Sequence, residues 1–324
     1  MKRVCVTGGT GFIASWLIKR LLHTGYSVNT TVRKNADGKR DLRYLTNLPG
    51  ASENLNIFDA DLDQPDSFTP AIEGCVGVFH IVHPMEWDET ESEETKTKRV
   101  IGGLLAILKA CLDSPTVRRF MHTSSSSAVV FDGKDLDTRD ETSWSHLDLM
   151  RNMGLQGNSY TITKTLAERT ALEFGKQHGL DVISLVPSWV HGPFFTPRCP
   201  NSVLVFLALI LGDENYYKFL MKASVVHVDD VARAFVHLFE CPEAEGRYIC
   251  SALEVTIEEL SEFLSQRYPQ FHIPTADSFK GIEPVKLCGL SSKKLLETGF
   301  KYEYGLEEMF DGAIHSCKEK GILY

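Results

Sequence analysis

Short apolar runs alternate with stretches whose apolar positions recur every three or four residues, and this alternation organises the first half of the chain. Arg3-Val4-Cys5-Val6-Thr7 reads as a buried strand. Over 12–24 the residues Ile13, Trp16, Leu17 and Leu21 fall at helical spacing, and Gly25 supplies the stop. The same reading predicts strands over 27–32, 55–58, 77–82, 119–123 and 181–186, with helices over 100–112 and 160–178. Strands alternating with helices of this length imply a parallel sheet covered on both faces. Beyond Pro187 the alternation weakens. Gly192-Pro193 and the prolines at 197 and 200 break the chain, then a strand over 247–250 and helices over 257–266 and 306–318 follow. The expected fold class is α/β: a Rossmann-type doubly wound parallel sheet over 1–186 and a smaller C-terminal substrate lobe over 187–324. Strands and helices are partly shared between the two, and the lobe stacks on the carboxyl edge of the sheet.

Composition narrows the class. With 43% hydrophobic and 24% charged residues the chain reads as an ordinary globular enzyme, and a net charge of -9 argues against a nucleic-acid binder. The longest apolar run, 203–211, falls far short of the ~20 residues a membrane span needs. No secretory leader is expected. The eight cysteines form no CxxC pair, so reduced thiols in a cytoplasmic protein, with no metal site, are expected. A monomer or weak dimer is expected. The acidic run 88–94 reads as a solvated loop.

Val6-Thr7-Gly8-Gly9-Thr10-Gly11-Phe12-Ile13-Ala14-Ser15 stands where strand turns into helix. Gly8 permits a tight turn, Gly11 a close approach of backbone to a pyrophosphate, and the helix N-terminus its free N–H groups. Ala14 replaces a glycine often found there, a packing variant. The second strand ends on Arg33, not on the acid that usually holds the 2′-hydroxyl of NAD, and Lys39 and Arg40 follow. A guanidinium pairs with a 2′-phosphate, so the expected cofactor is NADP(H). Asp61 and Leu62, after the third strand, are placed to meet the adenine. Tyr160 and Lys164 are i and i+4 on one helix, where an ammonium can pull a phenol toward the working pH range. The run Thr123-Ser124-Ser125-Ser126-Ser127 ends the fifth strand and brings hydroxyls to the edge where α/β ligands sit. His122 and His191 read as satisfied structural histidines.

TGGTGFIAS, TSSSS and YTITK together resemble the extended short-chain dehydrogenases/reductases. Ala60-Asp61-Leu62, Val78-Phe79-His80, Tyr160 through Glu168, Val226 through Ala232 and Gly246 through Ser251 are similar to the plant dihydroflavonol-4-reductase-like branch. Within it, Tyr26 through Thr31, Leu45 through Ser52 and Phe131 through Asp135 resemble the isoflavonoid-reducing members, the vestitone-reductase-like enzymes.

The resemblance implies a triad of Ser125, Tyr160 and Lys164. It places Gly8, Thr10, Gly11, Phe12 and Ile13 at the pyrophosphate and Arg33 with Arg40 at the 2′-phosphate. It brings Ile81, Val82 and His83 along the cofactor, and Pro187, Val190 and Ser202 beside the nicotinamide. His83, Met85, Trp87, Ser126, Val130, Trp189 and Phe194, with Phe195, become candidate contacts for a flat polycyclic ketone. Where the branch has alanine and a small hydroxyl, this chain has Val82 and His83. The amides that grip a dihydroflavonol align with Val130 and with Lys222 or Ser224, so dihydroflavonol reduction is disfavoured. The implied activity is NADPH-dependent reduction of an isoflavanone-like ketone, with Tyr160 as proton donor. Oxidation of an alcohol or hemiacetal, as in alkaloid-pathway relatives, uses the same site in reverse. A sugar-nucleotide epimerase favours an acid near position 33, and a non-catalytic regulator has no need of the Tyr/Lys pair.

Overall fold

Seven strands form the central sheet in the computed structural model, which describes residues 2–33, 41–83, 91–152, 158–285 and 287–324. The strands are β1 (Arg3–Thr7), β2 (Ser27–Val32), β3 (Leu55–Asp59), β4 (Gly77–His80), β5 (Arg119–Thr123), β7 (Asp181–Pro187) and β10 (Gly246–Cys250). Five shorter strands complete the count among the described residues: β6 (Thr138–Arg139), β8 (Trp189–His191), β9 (Ala223–His227), β11 (Leu253–Val255) and β12 (Gly289–Leu290). The large sheet is ordered β10-β7-β5-β4-β1-β2-β3 and every pairing in it is parallel. The chain builds outward from β1 to β3, then returns to β4 on the other side of β1. The switch point therefore lies between β1 and β4, where open α/β sheets bind their ligands.

The helices longer than ten residues are α1 (Phe12–His23), α2 (Glu93–Asp113), α3 (Asn158–His178), α4 (Val228–Glu240), α5 (Ile257–Arg267) and α6 (Leu306–Glu319). Leu17, Ile18 and Leu21 of α1 and Val231, Phe235 and Leu238 of α4 bury one sheet face with Val4, Val6 and Phe79. Leu104, Ile107 and Leu108 of α2 and Ala167 and Ala171 of α3 bury the other with Cys5, Val78 and Phe120. A separate core joins α5, α6 and a three-stranded sheet ordered β11-β9-β8. β6 and β12 pair by themselves.

Three differences from the sequence reading have physical causes. β4 stops at His80, not at 82, because the N–H groups of Ile81 and Val82 turn to Thr7 Oγ1 (3.1 and 3.3 Å). α2 begins at Glu93, inside the acidic run, because the Ser92 side chain accepts from Thr95 N and caps it. The 187–324 segment returns β10 to the large sheet and α4 to its face. His122 and His191 are buried, yet no ring nitrogen of either has a hydrogen-bond partner, so they are structural without being satisfied. His191 lies against Phe310 and Phe206 (ring centroids 4.6 and 5.3 Å), and burial holds it down at about 3.

Candidate active site

The glycine turn leaves β1 at the switch point. Gly8 takes φ +72°, which only glycine adopts without strain, and a Cβ on it would stand 2.9 Å from Val82 Cβ. Val82 is thus laid against the turn. Gly9, which the spacing argument left unassigned, is tighter still: its Cβ would meet Thr30 Oγ1 at 2.2 Å. Gly11 N donates to Gly8 O (2.9 Å), and Gly9 N donates to Thr31 O (2.9 Å), locking the turn to β2. Gly11 also starts α1 and offers no side-chain cap, so the first-turn N–H groups of Phe12 and Ile13 face outward without one. Arg33 is exposed immediately after β2, and Asp61 follows β3 with its Oδ1 accepting from Asp63 N (3.1 Å). The side chain of Leu62 packs on Gly103 of α2, where an added Cβ would meet it at 2.6 Å. A bare positively polarised helix end, a cradle that any Cβ would fill and a cation at the end of β2 together fit a phosphorylated dinucleotide. Lys39, Arg40, Met85 and Trp87 lie outside the described residues.

The catalytic candidates converge from β5 and α3. Ser125 follows β5 with its Oγ accepting from Ser127 N (3.2 Å), and it is hydrogen-bonded to the Tyr160 phenol. Burial pushes that phenol up to about 12, with the Ser125 bond working against the rise. Lys164, 4% exposed, donates from Nζ to Thr123 O (2.8 Å) and lies 6.0 Å from the Tyr160 ring centroid. Burial draws its ammonium down to about 7, opposed by Glu168. His83 stands edge-on to Tyr160 (centroids 5.1 Å, 89°), and its Nε2 pairs with Thr163 Oγ1 (3.2 Å). The Thr163 hydroxyl donates to Ser159 O (2.8 Å), so His83 Nε2 is the donor in that pair. Thr7 Oγ1 accepts from two backbone N–H groups and therefore gives its own hydrogen to His80 Nδ1 (3.2 Å). His80 stacks in turn on His122 (5.8 Å).

The remaining candidates divide. Ser126 and Val130 are partly buried just beyond Ser125, and Trp189 is partly buried against Phe219 (6.2 Å). Pro187 ends β7, Val190 of β8 lies in the core, and Ser202 is partly exposed. Phe194 is only 3% exposed and is committed to the C-terminal core. Phe195 packs on Trp16 of α1 (5.5 Å) and on Tyr44 (6.4 Å). The expected aromatic wall is therefore split between two cores. Lys222 pairs with Glu254 (3.2 Å), and Ser224 and Glu254 line a cavity of about 250 Å³ with Thr138, Ser251, Leu253 and Leu290. Thr7, Gly9, Glu168 and Arg247 were missed as site residues, and the Tyr160–Glu168 match was the one signal that touched Glu168.

A doubly wound sheet, a glycine turn at its switch point and a serine–tyrosine–lysine cluster at the carboxyl edge define a dinucleotide-dependent protein of the Rossmann type. The chain belongs to the NAD dependent epimerase/dehydratase family, whose model matches residues 4–250. It is 52% identical to vestitone reductase of Medicago sativa over 99% of this chain and 98% of that protein. The solved alfalfa vestitone reductase superposes with a TM-score of 0.90 at 50% identity, covering 100% of both chains. Protein BRI1-5 ENHANCED 1 of Arabidopsis thaliana is 50% identical (99% of this chain, 89% of that one). Dihydroflavonol 4-reductase of Callistephus chinensis is 44% identical (99% and 87%). No helix of the described residues is long and apolar enough to cross a membrane.

Proposed function

We propose that this protein reduces the carbonyl of a polycyclic aromatic ketone, of the kind the name vestitone reductase implies, using NADPH. The observation that carries the reading is the phenol of Tyr160 held by Ser125 with a buried lysine beneath it, at the carboxyl edge of the sheet beside the glycine turn. The nicotinamide supplies hydride when bound. Phe12 and Ile13 N–H groups would hold the pyrophosphate and Arg33 the 2′-phosphate, with Val82 and Pro187 bordering the cofactor.

Ser125 donates a hydrogen bond to the carbonyl oxygen and holds it against the phenol. Tyr160, protonated at neutral pH because burial raises it to about 12, hands its proton to that oxygen as negative charge develops there. Lys164 stabilises the phenolate left behind. His83 fixes the Tyr160 ring by its edge contact and borders the substrate. Val130 in place of an amide, and Lys222 paired to Glu254, take away the grips of a dihydroflavonol and favour an isoflavanone-like ketone. The setting is cytoplasmic, with a small-molecule partner and no nucleic acid.

NADPH consumption across isoflavanones, dihydroflavonols and alkaloid ketones, with product identification, tests the reading. Tyr160→Phe is expected to lose at least about 10²-fold in kcat while keeping its cofactor affinity. Full activity in that variant, or turnover of dihydroflavonols alone, refutes it.

A further inference from the structure

Next to Lys164 lies a second buried charge cluster to which the reaction assigns no part. Glu168, one turn further along α3, has no exposed surface, and each carboxylate oxygen accepts two hydrogen bonds. Oε1 receives Ser184 Oγ (2.7 Å) and Arg247 Nε (2.9 Å); Oε2 receives Ser124 Oγ (2.8 Å) and Arg247 Nη2 (3.1 Å). Arg247 directs Nη1 to Glu141 O and Ser143 O (2.8 and 2.7 Å) and lies 3.5 Å from the Trp144 ring centroid. The carboxylate is thus held at one point by the end of β5, by β7 and by β10.

As structure alone this arrangement has little to recommend it, because desolvation roughly cancels the Coulombic gain of a buried ion pair. Its neighbour gives it a purpose. The groups facing Lys164 are His80 from β4, His83 just beyond it, His122 and the Thr123 carbonyl from β5, and Tyr160 and Glu168 from α3. Burial, aided by the charge of Lys164, keeps all three imidazoles far below their usual range and so neutral. Tyr160 is neutral as well. The formal negative charge in this set is Glu168, and it opposes the burial that would strip the ammonium of its proton.

We propose that Glu168 is a positioning residue: a buried anion, pinned by Arg247, that favours the charged form of Lys164 next to the Tyr160 phenol. The inference rests on the proposed roles of Tyr160 and Lys164. It makes an ordering that a packing role does not. Glu168→Gln leaves the Arg247 cation, 2.9 Å from the carboxylate one turn beyond Lys164, without its anion and depresses the ammonium most. Glu168→Gln/Arg247→Met removes both charges and depresses it less, although it breaks more bonds.

The test is a 13C NMR pH titration of protein labelled with [ε-13C]lysine, free of cofactor, with the Lys164 signal assigned by its absence from Lys164→Arg. The wild-type midpoint is expected near 7. Glu168→Gln is expected to move it down by about one unit or more, and the double variant to lie between the two. A Glu168→Gln midpoint equal to the wild type, or a double variant shifted as far as or further than the single, overturns the inference. If Glu168→Gln does not fold by circular dichroism, the double variant decides alone: below wild type supports the inference, unchanged or above overturns it. The titration needs neither cofactor nor substrate. A wild type that reduces no ketone therefore refutes the proposed function and leaves this result standing. In active enzyme, the alkaline fall in kcat moves down with the Lys164 midpoint while substrate KM stays in place.

Discussion

Gly9 is the position at which the glycine turn tolerates least. A Cβ there stands 2.2 Å from Thr30 Oγ1 and 3.1 Å from Ile18 Cδ1. The Thr30 hydroxyl is not free to swing aside, since it donates to Val6 O at 2.8 Å across the β1–β2 pair. Gly9→Ala must break that bond, at about 1 kcal/mol, or push the turn off β2, an overpacking strain of about 1–3 kcal/mol. Either cost, about 1–3 kcal/mol at roughly 2 °C each, lowers Tm by about 2–6 °C. The same displacement moves the N–H groups at the start of α1, so KM for NADPH rises more than kcat falls. Scanning fluorimetry and steady-state kinetics read the two effects. Thr30→Ala provides the control: without Oγ1, the next Thr30 atom is Cβ at 3.2 Å. In that background Gly9→Ala is expected to cost less by about 1 kcal/mol or more, a coupling seen in a double-mutant cycle. A Gly9→Ala protein that melts within a degree of wild type, or two substitutions that simply add, refutes the account of the turn.

Arg33→Ala is expected to lower the kcat/KM preference for NADPH over NADH by roughly 10- to 100-fold, the scale of a lost charge-assisted pair, and an unchanged preference argues against this residue as the phosphate reader. Thr7→Val leaves the N–H groups of Ile81 and Val82 without their acceptor, a loss of about 2–4 kcal/mol in urea unfolding, whereas Thr7→Ser should restore most of it. His191 is held at about 3 when folded, against about 6.5 in the unfolded chain, so below pH ~6.5 only the unfolded state takes the proton and stability falls with pH. His191→Leu should therefore reduce the stability lost between about pH 7 and pH 5 by about 2 kcal/mol, and an unaltered pH slope contradicts an unpaired buried imidazole.

How much of the fold was legible follows from where each element finds its partners. β1 and β7 have apolar centres, β2 and β5 mix apolar with polar residues, and all four are buried along nearly their whole length, where the pattern finds them within a residue. β10 was legible as a strand but not as a member of the large sheet, because its pairing with β7 joins Gly246 to Ile183 across a segment containing a second sheet. β8 and β11, each of three residues, are too short to show a period. α2 was read late because its first turn is charged, and its start depends on the Ser92 cap.

The site divides along the same line, and the division is chemical. Tyr160 and Lys164 were legible because one helix turn brings them together, so four residues of spacing carry the geometry. Apart from Glu168, one turn further along the same helix, the groups around them come from elsewhere. Ser125 reaches Tyr160 from β5, Thr123 holds Lys164 by its carbonyl, and Arg247 meets Glu168 across 79 residues. The Thr7 hydroxyl, 73 residues from His80, decides that this ring accepts at Nδ1. A motif therefore identifies the candidate reacting pair, while its packed surroundings bear on the protons the pair carries. On that argument, substitutions at Tyr160 and Lys164 change the rate of the reaction, whereas substitutions at Glu168 and Arg247 change the pH at which it proceeds.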